Sequence, residues 1–408
     1  MLFAMGATAL VWAGFVPGLS EAAWQLDTTL RDRLSLMLTP ATEREDLVFI
    51  GLDAESQTQS GVSPAIRSKS RALTLLHQSS GNENLDRRVY VDLIKRLAEA
   101  GARQIIFDVL FIGSSGDPSV DEEFARVLKK HGSNIILAEL LNPREDGGYE
   151  PIRSIDQLPG LDRAPGEMPQ TAYVNIWPDA GDGVLRHMVY QTTLSELAGG
   201  TPDQDEKVHQ SLAAAAALNM KQSFAVGPNP RLRFAAPKGI PNNEIARSVS
   251  SAYAPHGIHR LFIPEVWEST YAGGDFFRGK TILLSTATIG DEDRHAIPGT
   301  TIYGAQFHLH ALGSLLDDAF WTEPPRWLEL VALILMAGVG TLLVLAFHHP
   351  FTQALSCVAL AGGFLVACVA LSEFTGFLFA GTPGVIGLLA VSFTGLTIKL
   401  FSKAPAGS

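Results

Sequence analysis

The sequence predicts an α/β fold: a layered, mostly parallel sheet in an extracytoplasmic domain, framed by one N-terminal and three C-terminal transmembrane helices. Three observations predict it. Charge is confined to the middle of the chain, short continuous apolar runs alternate there with helical stripes, and the C-terminal part reads as three successive apolar stretches. The expected boundaries are 1–19 for the first helix, 20–326 for the domain, 327–400 for the three helices and 401–408 for a short tail.

Charge sets these limits. Charged residues make up 18% of the 408 residues, against about 25% in a typical soluble domain. Between Leu330 and Ile398 the only Asp, Glu, Lys or Arg is Glu373, and Met1–Leu19 has none. Glu329 and Glu373 cancel Lys399 and Lys403, so the net charge of −11 belongs to the middle. A net-acidic surface argues against nucleic acid and against adsorption to anionic lipid. The two cysteines, Cys357 and Cys368, both fall in an apolar run. They lie about three helical turns apart, too far to pair within one helix. The middle therefore has neither a disulfide framework nor a cysteine-ligated metal site.

Met1–Leu19 is apolar but barely long enough to span. It lacks the basic leader and A-x-A site of a cleaved signal peptide, and reads as an uncleaved span. Leu47–Leu52 is a continuous apolar run ending at Asp53. Ile105–Phe111, Ile135–Ala138 and Thr281–Thr286 are of the same kind, as expected for strands buried on both faces. Gln57–Leu85 is a polar insertion. Tyr90, Leu93, Ile94 and Leu97 form a helical stripe after Asp86, and Gly101 ends it. Ser119 and Glu122 have capping-box spacing, and Gly132 closes that helix. A third helix is expected over Lys207–Lys221. Segments 142–170 and 225–257, rich in Pro, Gly and Asn, read as long surface loops. Such an order of strands and helices implies a layered sheet with crossovers.

At the C-terminal end, Trp327–Phe347, Phe351–Leu371 and Phe374–Leu400 are each long enough to cross a bilayer. Pro383 and Gly384 fall near the middle of the third. Lys399 and Lys403 follow the last helix, which places that end in the cytoplasm and 20–326 outside. The glycines of these helices are ordinary membrane composition, with close helix approach as their use.

Candidate functional residues are aspartates and one arginine. Asp53 and Asp108 are expected at the carboxyl ends of neighbouring strands, where such sheets bind ligands. With Asp121 they would make a polar pocket, and three carboxylates suit a hard cation. The structural alternative has Asp53 capping a turn, Asp108 bonding loop backbone and Asp121 sitting at a helix N-terminus. Arg186, after the Asp182-Gly183 turn, would grip an anionic ligand or pair with a nearby carboxylate. Asp291, Asp293, Arg294 and His295 form a dense polar loop, read either as a binding loop or as solvated surface. His308 and His310 are two apart and make a poor chelate, and His348–His349 marks a membrane boundary. The motifs G-x-S-x-G, H-E-x-x-H and the P-loop are missing. No catalytic residue, metal or cofactor is assigned.

Four stretches carry a family resemblance: DLVFIGLDAES (46–56), RRVYVDLIKRLAEAGARQIIFDVLF (87–111) followed by Asp121, YVNIWPDAGDGVLRHMVY (173–190) and FFRGKTILLSTATIGDEDRHAIPGTTIYGAQFHLHAL (276–312). In order and spacing they resemble the extracellular sensory family associated with cyclases and histidine kinases, type 2. The three closing membrane helices are the family's usual ending. The chain departs from the family where Asn84-Leu85-Asp86 replaces a Trp-Pro-Trp-like segment before Arg87. Lys399–Ser408 also stands where a kinase or cyclase often follows.

The resemblance implies a multi-pass inner-membrane sensory module of bacterial signal transduction, its main domain periplasmic or extracellular. It would be non-catalytic, binding an unknown small ligand and relaying to a separate signalling or membrane protein. The expected partners are membrane lipid, that protein and another copy of the chain, with no nucleic acid. The alternatives are a structural or scaffolding subunit of a membrane complex and a metal-dependent membrane-anchored enzyme.

Overall fold

A computed structural model describes residues 6, 8, 18–79, 85–287 and 293–402. It divides into two compact units: one of 41–240 with 247–319, the other of 1–40, 241–246 and 320–408. The expected span Met1–Leu19 falls almost entirely outside the described residues.

The first unit is the α/β domain. Its main elements are β1 (Leu47–Leu52), α1 (Arg71–Gln78), α2 (Arg87–Glu99), β2 (Gln104–Phe107), α3 (Pro118–Lys130), β3 (Ile135–Pro143), β4 (Tyr149–Arg153), β5 (Gln170–Tyr173), α4 (Leu212–Asn219), β6 (His256–Gly257), β7 (Thr281–Thr286), β8 (Arg294–Ile297), β9 (Thr300–Tyr303) and α5 (Gly304–Asp317). Seven strands form one sheet in the order β6-β1-β7-β2-β3-β4, with β5 also paired to β3. All the pairings are parallel except β3 with β4.

The continuous apolar runs are explained by burial on both faces. Alternate residues Val48, Ile50, Leu52, Ile105, Phe107, Ile135, Leu137, Ile282 and Leu284 enter one core with the apolar faces of α1, α2 and α3. The residues between them, such as Phe49, Ile106, Ile136 and Leu283, are buried too, and α5 packs on β1 and β7 while α4 packs on β3 and β5.

Several elements differ from the sequence expectation for local reasons. The insertion 57–85 holds short helices capped by Asp53, Ser63 and Ser70. Segment 142–170 contains a hairpin, because Gly147 adopts a positive φ of 83° and Arg144 N–H bonds the Gly148 carbonyl at 2.8 Å. The helix expected from Ser119 starts at Pro118, with Asp117 accepting from Ser119 N–H at 2.9 Å. Proline at the first turn is pre-set for a helix start and has no N–H to satisfy.

The second unit holds α6 (Arg326–Ala346), α7 (Pro350–Thr375), α8 (Thr382–Ser402) and a separate helix, Leu19–Met37. Three helical stretches are long and apolar enough to cross a membrane, with mean hydropathy of 2.5 (Arg326–Ala346), 2.4 (Pro350–Thr375) and 1.3 (Thr382–Lys399). Pro383 opens the third helix instead of interrupting it. Close packing of α6 on α8 uses glycine: a Cβ at Gly387 would stand 2.7 Å from the Leu333 carbonyl, and one at Gly340 3.1 Å from that of Leu388. Lys399 caps α6, its ammonium bonding the carbonyls of Val344 and Phe347 and, at 3.0 Å, the Gln353 amide oxygen. A cation at a helix C-terminus meets the negative end of the dipole.

Candidate functional site

The carboxyl ends of β1, β7 and β2 carry the chemistry. β7 stands between β1 and β2, which corrects the expectation that Asp53 and Asp108 end neighbouring strands. They end strands about 9–10 Å apart and serve two separate arrangements.

Asp53 closes the first. Its carboxylate accepts from Ser56 N–H at 2.7 Å and from the Ser56 hydroxyl at 2.5 Å, and Ser56 Oγ lies 2.9 Å from His259 Nδ1. Burial holds His259 below its ordinary pKa, against the pull of Asp53 and Glu55. This is a helix cap joined to a buried imidazole, and Ser56, 0% exposed, faces no solvent.

Asp121 belongs to a second structure. It is 3% exposed, and its carboxylate accepts from Arg87 at 2.5 Å, Ser114 Oγ at 2.7 Å and Ser115 N–H at 3.1 Å. Arg87 also bonds the Gly113 carbonyl at 2.5 Å. Burial pushes the Asp121 carboxyl up, but the Ser114, Ser115 and Arg87 bonds outweigh it and hold the carboxyl below the usual range. The pair pins loop 112–117 between two pockets of about 470 and 420 Å³.

Asp182 and Arg186 are also paired. Arg186, 2% exposed, bonds Asp179 at 2.8 Å and both oxygens of Asp182 at 2.9 and 2.6 Å. The Arg186 bonds hold Asp182 below the usual range.

Asp108 and Asp293 are different. Asp108 follows β2 and is fixed by its backbone: its N–H bonds the Leu284 carbonyl at 2.8 Å, and its carbonyl accepts from Ser285 Oγ at 3.2 Å. The β8–β9 hairpin, with Arg294 opposite Tyr303, brings Asp293 back to the first residue of α5. There its carbonyl accepts from Gly304 N–H at 3.0 Å, and its carboxylate fills the space a Cβ on Gly304 would take. An anion at a helix N-terminus is favoured. His295 Nε2 lies 3.1 Å from Asp293 Oδ1. Burial, with the Asp293 charge adding to it, raises the Asp108 carboxyl to about 7, although Ser285 and His295 pull the other way.

His308 completes the group. It is one turn beyond Gly304, on the same face of α5, and 2% exposed. Its Nε2 lies 3.2 Å from the Val174 carbonyl, so that nitrogen carries the proton, while Nδ1 is buried without a hydrogen-bond partner. Burial lowers His308 to about 4, against Asp293 and the Val174 bond. A neutral imidazole thus holds an unfilled acceptor within the field of the helix-capping Asp293 carboxylate, whose charge also acts on Asp108. Such an arrangement can accept hydrogen bonds and protons.

Of the residues singled out from sequence, Asp108 and Asp293 come together, and Asp53, Asp121 and the Asp182–Arg186 pair stand apart in their own hydrogen bonds. Asp291 lies outside the described residues. Among the described residues no group of three or more His, Cys, Asp or Glu is placed to hold a metal. Sequence reasoning missed Ser285 and set His308 aside on its spacing to His310. The spacing that mattered was four residues, from Gly304.

Comparison with curated proteins returned no match, and neither did comparison with solved structures. The family model of the CHASE2 domain matches residues 6–343, well over half of the chain. Asp108, Val174, Ser285, Asp293 and His308 all fall within that match, and the chain belongs to the CHASE2 family of sensory domains.

Proposed function

We propose that this chain is a membrane-anchored, non-catalytic sensor of a bacterial inner membrane. Its α/β domain lies outside the cytoplasm, reads a small polar ligand at the carboxyl ends of β7 and β2, and relays the signal to a separate cytoplasmic protein. One observation carries the ligand reading: the charge of Asp293 acts on both Asp108 and His308, His308 keeps a buried acceptor unfilled, and a buried polar group without a partner costs free energy until something bonds it. Membership of a sensory family and three helices able to anchor the chain support the membrane reading. Lys399 shares one end of the helices with Val344, Phe347 and Gln353, and a lysine-bearing end favours the cytoplasm. The chain would then enter α6 from the other side.

The test uses the full-length protein in nanodiscs. Thermal unfolding is followed with a panel of small polar and ionic metabolites, in wild type and in an Asp293→Asn/His308→Leu variant. The reading expects at least one chemical class to raise the midpoint of wild type and leave the variant unmoved. It also expects a cytoplasmic signalling protein to be recovered from mild detergent. No shift with any probe, together with no recovered partner, would refute it.

A further inference from the structure

Tyr90 on α2 carries one atom that packing does not explain. Its ring meets Phe107 and Phe111 edge-on, with centroids 5.9 and 5.1 Å away, and Phe124 at 6.3 Å. A phenylalanine would complete that cluster as well. The residue is 8% exposed, yet among the described residues no group bonds its hydroxyl. Buried phenols usually find a partner. This one opens into a cavity of about 470 Å³, within the range of about 300–1,000 Å³ found for ligand pockets.

The cavity sits where the chain leaves β2 and faces the first turn of α2. Val109 and Phe111 line it, and both pack on the core beneath α2 and α3. Asp108 turns the other way, toward Ser285 and Asp293, so the cavity is separate from the group around Asp108. Its walls carry both signs of charge, each already matched. Asp86 accepts from Arg88 N–H at 2.9 Å, Nε at 3.0 Å and Nη2 at 2.6 Å. Arg87 is held by Asp121 and the Gly113 carbonyl. Asp117 accepts from the Ser119 N–H at 2.9 Å and hydroxyl at 2.7 Å. An anion entering here would meet Asp86 and Asp117, and a cation would meet Arg87 and Arg88. Either would lose hydration with no unmatched charge to replace it. What remains for a guest is hydrogen bonding: the Tyr90 hydroxyl, Arg88 Nη1 as a donor, and the remaining lone pairs of Asp117 as acceptors.

We propose that this cavity binds a small uncharged polyhydroxyl compound, a sugar or cyclic polyol, with the Tyr90 hydroxyl as its deepest hydrogen-bond partner. A hydroxyl gives and takes hydrogen bonds at one atom, so a ring of hydroxyls can meet donors and acceptors set side by side. Phe111 and Ile112, in the same lining, offer apolar surface to the C–H face of such a ring. A free ring and the terminal ring of a longer glycan share this chemistry.

The experiment is isothermal titration calorimetry on the full-length protein in nanodiscs. The probes are D-glucose, D-ribose and myo-inositol as single rings, maltotriose as a chain, and succinate, putrescine and alanine as an anion, a cation and a zwitterion. At least one uncharged probe should bind. A single ring that binds assigns a free compound, and maltotriose alone assigns the end of a glycan. Tyr90→Phe keeps the ring in its cluster and should weaken that binding about five- to tenfold, the worth of one hydrogen bond between uncharged groups, without moving the thermal midpoint of the empty protein. Ile112→Trp, at a lining position 58% exposed, should block the cavity. Asp293→Asn/His308→Leu should bind the same probe as wild type does, which separates this site from the one at Asp108. No binding by any uncharged probe overturns the proposal. So does binding by a charged probe alone, or binding that Tyr90→Phe leaves unchanged.

Discussion

Two aspartates that follow β2 in the chain, Asp108 at its carboxyl end and Asp121 in the first turn of α3, have opposite surroundings. Asp121 has an arginine, a hydroxyl and a backbone N–H, and is held ionised. Asp108 has a fixed backbone and a second carboxylate nearby, and its carboxyl is raised to about 7. The first arrangement spends its charge on holding a loop in place. The second leaves its charge state open. A buried acid is structural when its lone pairs are filled, and becomes a candidate for sensing when burial keeps it protonated at the edge of neutrality.

Breaking the filled side should give the largest effect. Arg87→Met leaves the Asp121 carboxylate buried with its cation gone, and removing one partner of a buried pair costs about 3–5 kcal/mol. Chemical denaturation of the full-length protein should show a loss of that size, with loop 112–117 opened to protease. Arg186→Lys comes next. It keeps the charge but loses the two-carboxylate geometry with Asp179 and Asp182, so about 1.5–3 kcal/mol is expected from bonds to charged groups.

Gly304→Ala sharpens the other side. Its Cβ would displace the Asp293 carboxylate, at about 1–3 kcal/mol of overpacking. Because the Asp293 charge helps raise Asp108, the same variant should also lower the Asp108 titration.

The smallest effect at a fixed pH, and the most specific, belongs to Asp108→Asn. In the fold Asp108 holds its proton up to about 7, against an ordinary 3.8. The folded state therefore binds the extra proton between those limits. The stability this gives is full below about 3.8 and is lost as pH rises through about 7. Asp108→Asn should flatten that slope while leaving the protein near wild-type stability at pH 5. His308 and His310 act with the opposite sign: burial lowers them from 6.5 to about 4 and about 3. Their contribution is full above 6.5 and lost as pH falls through those values. The acid limb of the stability curve should therefore survive in Asp108→Asn.

The sheet was legible because strands such as LVFIGL and TILLST carry consecutive apolar residues with no polar alternation through their centres, the signature of burial on both faces. The capping role of Asp53 and the pairing of Arg186 could also be read, since both partners lie within a few residues. What could not be read was strand order. β7 inserts between β1 and β2 from a distance in the chain, and no local pattern announces it. That insertion separates Asp53 from Asp108 and brings Ser285 beside Asp108. The link between Asp293 and His308 was hidden for a similar reason. It depends on a hairpin that returns Asp293 to a glycine at the start of α5, so the informative residue was one without a side chain.

The most direct test of the contrast is the protonation of Asp108 itself. Infrared difference spectra of the full-length protein in nanodiscs, wild type minus Asp108→Asn, would follow the carboxyl stretch from pH 4 to pH 9. A single carboxyl titrating near 7, shifted down in Gly304→Ala, is the predicted result. A carboxyl already ionised below pH 5 would place Asp108 with Asp121 among the structural acids and remove the basis for a sensing site at the sheet's carboxyl end.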